Sequence, residues 1–389
     1  MKIAVVGARG IPSKFGGTER YCQELYPQIV ARGHQVDLYV QPGYQHQSWF
    51  SSFIYQRIKV IALPSFPGRR LSLFNSAFNL IWATFGKYDV IHIHGVAAAW
   101  FAWFPQMFSD SSIIMTCHQL ETDDLRSHQL FRLLLPWIEK MAVRYTDEII
   151  VTSQELASYF WRKYSICSQY IPNAPTRYRT NKSSLSCLRA FGLDNSRYLL
   201  YLGSFEPAQR LDLLIEVFQR LQPHNWKLVL AGDISQSFEY STKLLQMARQ
   251  QNNIIFTGEI GGNFLGELIR SADIFVNPSD GNNLCSSVTM LEAMRAGVPI
   301  VASDTENHRQ LIGRDRGLLF RAGQFDSLLI QLKYAMSRPK LLLAMTKKAQ
   351  TYISINHNWD KVIYKNLFLY LQLTTKIPLQ PPSKTYEHR

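Results

Sequence analysis

The chain has 389 residues, 46% of them hydrophobic and 18% charged. That length exceeds one ordinary domain and suits two, and the composition excludes global disorder. A formal net charge of +13 favours an anionic partner, either a phosphate-bearing substrate or an anionic membrane surface; nucleic acid would share that preference, but no recognised nucleic-acid motif accompanies it.

Lys2–Val6 is a short β-branched run that ends at Gly7, and the loop Ala8–Gly17 follows it. Thr18–Arg32 reads as a helix, with Leu25, Ile29 and Val30 at helical spacing and Gly33 as its stop, and Val36–Val40 is the next strand. This βαβ unit requires a parallel sheet. The alternation continues with strand Ile58–Leu63, helix Asn75–Gly86, strand Val90–Ile93, helix Ala97–Phe108 and strand Ile113–Thr116. Helix Leu130–Tyr145, strand Glu148–Thr152, helix Glu155–Tyr164 and the short run Tyr170–Ile171 complete the first half.

Between Thr176 and Ser196 the sequence turns polar and basic without a clear period, which reads as an interdomain linker. Alternation then restarts with strand Tyr198–Leu202, helix Leu211–Leu221, strand Lys227–Ala231, helix Thr242–Gln251, strand Ile254–Thr257, helix Phe264–Ser271 and strand Ile274–Asn277. Helix Val288–Ala296 is stopped by Gly297 and Pro299, and strand Ile300–Ala302 precedes the last helices, Phe325–Ser337, Lys340–Ile353 and Trp359–Leu373. The pattern predicts an α/β protein of two doubly wound, Rossmann-like domains: 1–176, a linker 177–196, and 197–358. A terminal helix 359–375 is expected to pack back on the first domain, and 376–389 forms a Pro-rich tail.

Five scattered cysteines without CxxC spacing argue against a disulfide framework or a zinc site and for a reducing compartment. The start MKIAVVGARG lacks the apolar core and cleavage site of a signal peptide. The most apolar stretch, Gly95 to Phe108, is broken by Pro105 and Gln106 and falls short of the roughly 18–20 residues that a bilayer crossing needs. A cytoplasmic protein is expected, soluble or peripheral on the inner face of the plasma membrane.

Ligands of open parallel sheets bind outside the carboxyl ends of the strands. The loops there are Gly7–Gly17, Gly203–Arg210, Gly232–Asp233, Gly258–Gly262 and Ser279–Ser287, all rich in Gly and small polar residues. Gly16-Gly17 directly precede a helix, where a donor diphosphate can approach free N–H groups, and Arg9 and Lys14 add positive charge. The same glycines also suit a loop that merely turns sharply, and composition does not choose between the two. The spacing does not match GxGxxG, so a dinucleotide oxidoreductase gains little support. In the segment from Asn277 to Asp304 a strand ends, a polar loop turns, and a helix carries Glu292. That carboxylate can accept hydrogen bonds from ribose hydroxyls, or can pair within its own helix.

Taken together, GARGIPSKFGGTER, Ile171-Pro172-Asn173, YLGSFEP, the AGD and FTG strand ends, PSD…LEAMRAGVPIVASD and the late Trp359 resemble the retaining GT-B glycosyltransferases of the family-four type. The resemblance covers nearly the whole chain, and its first motif is similar to a subgroup with rhamnosyl- and other hexosyltransferases. It implies two Rossmann-like domains facing across a cleft and hexose transfer from a nucleotide-diphosphate sugar. The acceptor would be a growing glycan or a lipid-linked acceptor in exopolysaccharide or other cell-surface polysaccharide synthesis. No metal and no cofactor would be needed. His118 would lie near the transferred sugar and Glu292 on the ribose, as the catalytic pair. Arg9, Gly16, Gly17, Gly203, Ser204, Arg210, Gly232, Asp280, Asn282, Asn283, Ser287 and Val288 would join Glu292 in holding the donor. Retention would proceed on the donor's front face, with electrostatic stabilisation of the leaving diphosphate as the main catalytic effect.

The chain departs from that pattern in three places. Leu284 stands where the family has the first of two glutamates, with Asp280, Asn282 and Asn283 close by. Ser204 and Gln209 stand where the family has the Arg and Lys that hold the diphosphate, and Arg210 comes one residue late. One residue at a helix start is a rotation of about 100°. Each lost cation costs on the order of 2–4 kcal/mol of transition-state stabilisation unless other charge replaces it. An active transferase and a catalytically impaired relative that binds sugar nucleotide or partners an active enzyme both stay open. The basic and aromatic residues from Arg69 to Trp82 and from Trp100 to Phe104 suit contact with an anionic membrane, or a plain core.

Overall fold

The computed structural model describes the chain outside 13–15, 42–47, 65–71, 121–128, 179–185, 235–236, 282–287 and 376–389, and side chains also outside 72, 129–132 and 186–187. Two compact units result: Met1–Ser13 with Cys22–Val151 and Trp359–Arg389, and Lys14–Tyr21 with Thr152–Asn358.

The first unit contains strands β1 (Lys2–Val6), β2 (Gln35–Val40), β3 (Ser51–Tyr55), β4 (Ile58–Ala62), β5 (Val90–His94), β6 (Ser112–Cys117) and β7 (Glu148–Val151). They lie in the order β3-β4-β2-β1-β5-β6-β7. Each pair is parallel except β3 with β4. The central strands are buried along almost their whole length, β5 completely, as expected of a parallel sheet covered on both faces. The strand order reverses between β1 and β5. There Gly7 (φ +105°) passes so close to the His94 carbonyl that a Cβ would collide with it. Helix Trp359–Thr375 buries Trp359, Val362, Ile363, Leu369 and Tyr370 at helical spacing and packs in this unit.

Strand β3 has no counterpart in the sequence pattern. It joins β4 through a two-residue turn at Gln56 (φ 47°) and Arg57 (φ 68°). Such a turn normally announces itself through Asn or Gly, and neither is present.

The second unit contains β8 (Gln169–Tyr170), β9 (Arg197–Leu202), β10 (Trp226–Ala231), β11 (Ile254–Gly258), β12 (Ile274–Asn277), β13 (Ile300–Ser303) and β14 (Leu318–Phe320). Its sheet runs β11-β10-β9-β12-β13-β14 with all pairs parallel, which is the doubly wound 3-2-1-4-5-6 order. Side chains alternate between two cores. Leu200, Val229, Phe275 and Ala302 enter one, and Leu199, Leu228, Val276 and Val301 the other. The order reverses between β9 and β12, so the loops after these two strands diverge and leave room for a ligand.

Residues 152–176 group with the second unit, because their backbone is tied there. His357 Nδ1 lies 2.9 Å from the Asn173 carbonyl oxygen, and Arg295 Nη1 donates to the carbonyls of Pro175 and Thr176 at 3.4 Å. The polar stretch read as a linker also contributes to this core. It forms the short helix Ser186–Ala190, buries Leu188 and Leu193, and Leu188 N donates to Glu267 Oε1 at 3.3 Å. Two apolar residues among polar ones are too few to show a period. Helix Glu306–Ile312 and strand β14 were likewise too short to read from periodicity.

Candidate active site

Helix Gly17–Val30 starts immediately after Gly16; its first turn groups with the second unit, and there Arg20 points at Glu292, with Arg20 Nη1 3.7 Å from Glu292 Oε1. Glu292 lies on helix Val288–Ala296, among Met290, Leu291, Ala293 and Met294, all buried. Its side chain is 1% exposed, and neither carboxylate oxygen meets a donor in good hydrogen-bond geometry among the described residues, although the Tyr178 hydroxyl lies close enough to interact with it. A buried carboxylate without hydrogen bonds is costly. Arg20 supplies the compensating charge. The buried Tyr178 hydroxyl lies in the same field; burial raises its pKa first, and the Glu292 charge raises it further. Burial and the charge of Asp233 raise the pKa of Glu259, while Arg20 opposes the rise. Arg20 therefore faces several acidic groups at once.

Gly16 and Gly17 differ in what surrounds them. Gly16 holds φ +100°, and a Cβ there would collide with the Glu19 carboxylate; among the described residues nothing lies within 4 Å of a Cβ on Gly17. Gly17, not Gly16, offers open backbone at the helix start. After β9 and β10, Gly203 and Gly232 sit against each other, and a Cβ on Gly232 (φ +156°) would strike the Gly203 carbonyl. The Tyr201 hydroxyl donates to the Ser204 carbonyl at 2.8 Å, which fixes the start of the β9 loop. Asp280 N donates to the Ala208 carbonyl at 2.9 Å, so the loops after β9 and β12 are joined at the switch point.

Arg210 takes a left-handed conformation (φ 51°) between the turn Pro207–Gln209 and helix Leu211–Leu221. Its guanidinium is turned to Asp212, with Nε 3.5 Å from Oδ1. Asp212 is also held by Lys243 at 3.1 Å and Tyr240 at 2.9 Å. Val288 opens its helix and is half-buried. Lys14, Asn282, Asn283, Leu284 and Ser287 lie outside the described residues. Arg9 is exposed on the loop after β1 and belongs to the first unit, as does His118.

His118 follows β6 and, itself half-buried, ends a row of otherwise buried groups that sequence reasoning missed. His92 and His94 alternate on β5 and so share one face, with their rings stacked 4.4 Å apart. His94 Nδ1 lies 3.0 Å from His118 Nε2, and the Tyr26 hydroxyl lies 2.6 Å from His94 Nε2 and 3.0 Å from His92 Nδ1. The Tyr370 hydroxyl reaches His92 Nδ1 at 2.5 Å, and Thr116 Oγ1 reaches His92 Nε2 at 2.6 Å. Burial depresses all three imidazoles, His92 to about 3 and His118 to about 4, with His94 lowered as well. They are neutral at physiological pH. The available signal was the His-x-His pair inside a strand buried on both faces.

The chain matches known proteins in sequence and fold. Residues 15–174 match the Glycosyltransferase Family 4 model and residues 189–352 the Glycosyl transferases group 1 model. The two matches together take in most of the chain, which belongs to the glycosyltransferases of the group 1 and family 4 type. It is 24% identical to the phosphatidyl-myo-inositol mannosyltransferase of Mycobacterium leprae, over 92% of this chain and 94% of that one. The sucrose-phosphate synthase of Thermosynechococcus elongatus superposes with a TM-score of 0.80 at 20% identity, covering 96% of this chain and 99% of that one. Anabaena HepE in complex with UDP-glucose superposes with a TM-score of 0.77 at 17% identity, covering 96% and 100%. The fold is that of the GT-B enzymes, with two parallel-sheet Rossmann-like units. Among the described residues no helix is long and apolar enough to cross a membrane.

Proposed function

We propose that the protein is a retaining hexosyltransferase that takes its sugar from a nucleotide-diphosphate donor and delivers it to a glycan or lipid-linked acceptor, without metal or cofactor. The observation that carries the donor half is Glu292, buried, without a well-formed hydrogen bond among the described residues, and balanced by Arg20 at 3.7 Å. A vicinal diol such as ribose supplies the donors that this carboxylate lacks. The open backbone at Gly17 and the close-packed Gly203 and Gly232 suit approach of a diphosphate. Arg20 then supplies positive charge in a site where Ser204 and Gln209 supply none, and His118 serves the transferred sugar. The bound UDP-glucose of the Anabaena relative and the phosphatidyl-myo-inositol in the name of the mycobacterial one agree with this reading; the base, the sugar (rhamnose included) and the polysaccharide role belong to the same proposal.

A second reading is that the chain binds sugar nucleotide without turning it over. It is favoured by the engagement of Arg210 with Asp212, which draws that cation toward a carboxylate. One experiment separates the two. Titration calorimetry with UDP-, GDP-, ADP- and dTDP-sugars is followed by a donor and acceptor screen read by mass spectrometry. Binding with product formation supports the transferase, and binding without product across all donors supports the second reading. Failure of every nucleotide to bind at millimolar concentration sinks both.

A further inference from the structure

Two buried polar side chains of the second unit meet without satisfying each other. Glu292 is 1% exposed, and the Tyr178 hydroxyl lies close enough to its carboxylate, and to Thr176, to interact with both. Yet among the described residues neither the Tyr178 hydroxyl nor either Glu292 oxygen has a partner in good hydrogen-bond geometry. A buried tyrosine hydroxyl ordinarily finds one, so the placement of Tyr178 needs a reason. Its segment and its ring are both held. Arg295, three residues after Glu292 on helix Val288–Ala296 and so on the same side of it, donates through Nη1 to the carbonyls of Pro175 and Thr176 at 3.4 Å. Helix Gly262–Arg270 lies against the ring at Gly266, where a Cβ would stand 2.8 Å from the Tyr178 Cβ. One helix thus carries Glu292 and also ties down the segment that presents Tyr178 to it. Arg20 keeps 21% of its side chain exposed, so the group opens to solvent beside Arg20.

We propose that Tyr178 is a further donor-binding residue: its hydroxyl and the Glu292 carboxylate together read the two vicinal hydroxyls of ribose, so that the site takes ribonucleotide donors and discriminates against 2′-deoxyribonucleotide ones. This rests on the reading of Glu292 as the ribose-binding group. A carboxylate only accepts, whereas a hydroxyl both donates and accepts. Each ribose hydroxyl gives its hydrogen to one Glu292 oxygen and still has lone pairs, and the Tyr178 O–H beside the carboxylate fills one of them. All three protein oxygens then have partners. In 2′-deoxyribose one of the two hydroxyls is missing. A protein oxygen then stays unfilled in a buried place, and a site built to bond a hydroxyl rejects the analogue without it for this reason. Arg20 exchanges the carboxylate for the diphosphate of the same ligand, which keeps the charge balanced. Donors built on dTDP are disfavoured on the same ground.

Titration calorimetry of the full chain tests this with UDP, GDP and ADP, each against its 2′-deoxy counterpart, on the wild type and on Tyr178→Phe. The wild type is expected to bind the ribonucleotide about tenfold or more tighter than the deoxy form. Tyr178→Phe removes only the hydroxyl. Its melting temperature is expected to match or exceed that of the wild type, and its preference for the ribonucleotide to shrink by at least about threefold. Should that variant fail to fold, Tyr178→Met takes its place. Equal affinity of the wild type for both members of a pair overturns the proposal, and so does a folded variant that keeps the full wild-type preference. Both of these outcomes leave nucleotide binding intact, whereas failure of every nucleotide to bind overturns the underlying reading of Glu292 as well.

Discussion

Arg20 Nη1 stands 3.7 Å from Glu292 Oε1, which joins the first turn of an N-terminal helix to a carboxylate buried far along the chain. The pair lies within the second unit because Lys14–Tyr21 groups with Thr152–Asn358. Arg20 keeps 21% of its side chain exposed while Glu292 keeps 1%, so the two ends of the pair respond differently to substitution.

Glu292→Gln removes a buried charge that has no well-formed hydrogen bond among the described residues and keeps its shape. Stability is expected to hold or to rise by about 1 kcal/mol, a shift of roughly 2–4 °C in Tm, while nucleotide affinity falls about tenfold or more. Arg20→Ala leaves the Glu292 charge uncompensated and lowers stability by about 2–3 kcal/mol, less than for a fully buried pair. Thermal melts with and without nucleotide measure both. A large stability loss in Glu292→Gln would show that the carboxylate is structural.

Gly16→Ala and Gly17→Ala separate a structural glycine from an open one. Alanine at Gly16 meets the Glu19 carboxylate at a positive φ and is expected to cost about 1–3 kcal/mol. Alanine at Gly17 meets nothing within 4 Å among the described residues, so the fold is expected to tolerate it within about 0.5 kcal/mol. Reduced nucleotide binding by a fully stable Gly17→Ala would show that ligand approaches the backbone there; unchanged binding would remove Gly17 from the site.

The histidine row makes stability depend on pH. The folded pKa values are about 3 for His92 and about 4 for His118, with His94 also lowered, all below the ordinary 6.5. The unfolded chain therefore binds more protons as pH falls below 6.5. The contribution of these groups is complete above that pH and is lost toward the folded values, at up to about 1.4 kcal/mol per pH unit for each histidine. His308 and His357, lowered by burial in the second unit, act in the same direction. Urea midpoints measured from about pH 7 to about pH 5 are expected to fall steeply. A flat profile would mean that the imidazoles are not held neutral.

Contact with an anionic membrane is expected to involve the exposed aromatic rim of the first unit. Phe85, Phe104 and Phe108 form a ring chain with centroids 6.3 and 4.8 Å apart, and Phe85 (70% exposed) adjoins the exposed Lys87. Leu73 and Leu80 of the neighbouring helix are core, so only part of the aromatic sequence faces out. Vesicles containing anionic lipid should co-sediment the protein, and Phe85→Ser with Phe108→Ser should weaken this severalfold. Equal behaviour of neutral and anionic vesicles would count against it.

The amino-acid sequence by itself determined the alternation of strands and helices. Helices Leu211–Leu221 and Val288–Ala296 and strand Ile274–Asn277 are legible because period, Gly stops and β-branched runs are written in near neighbours. It also pointed to Glu292 and to the loops after β9 and β12, since strand ends and glycines mark ligand approaches in this architecture. Only the tertiary structure decided which charge Glu292 meets. Arg20 on a helix looks like any solvated cation until the fold brings its first turn against helix Val288–Ala296. The same holds for Leu188 and Leu193, two apolar residues hidden in a polar run, and for β3, whose turn lacks Asn and Gly. It holds most of all for Tyr26, His92, His94, His118 and Tyr370, which come from separate elements. Local pattern fixes the elements, whereas pairings between distant side chains exist only once packing excludes water and forces each buried polar group to find its partner.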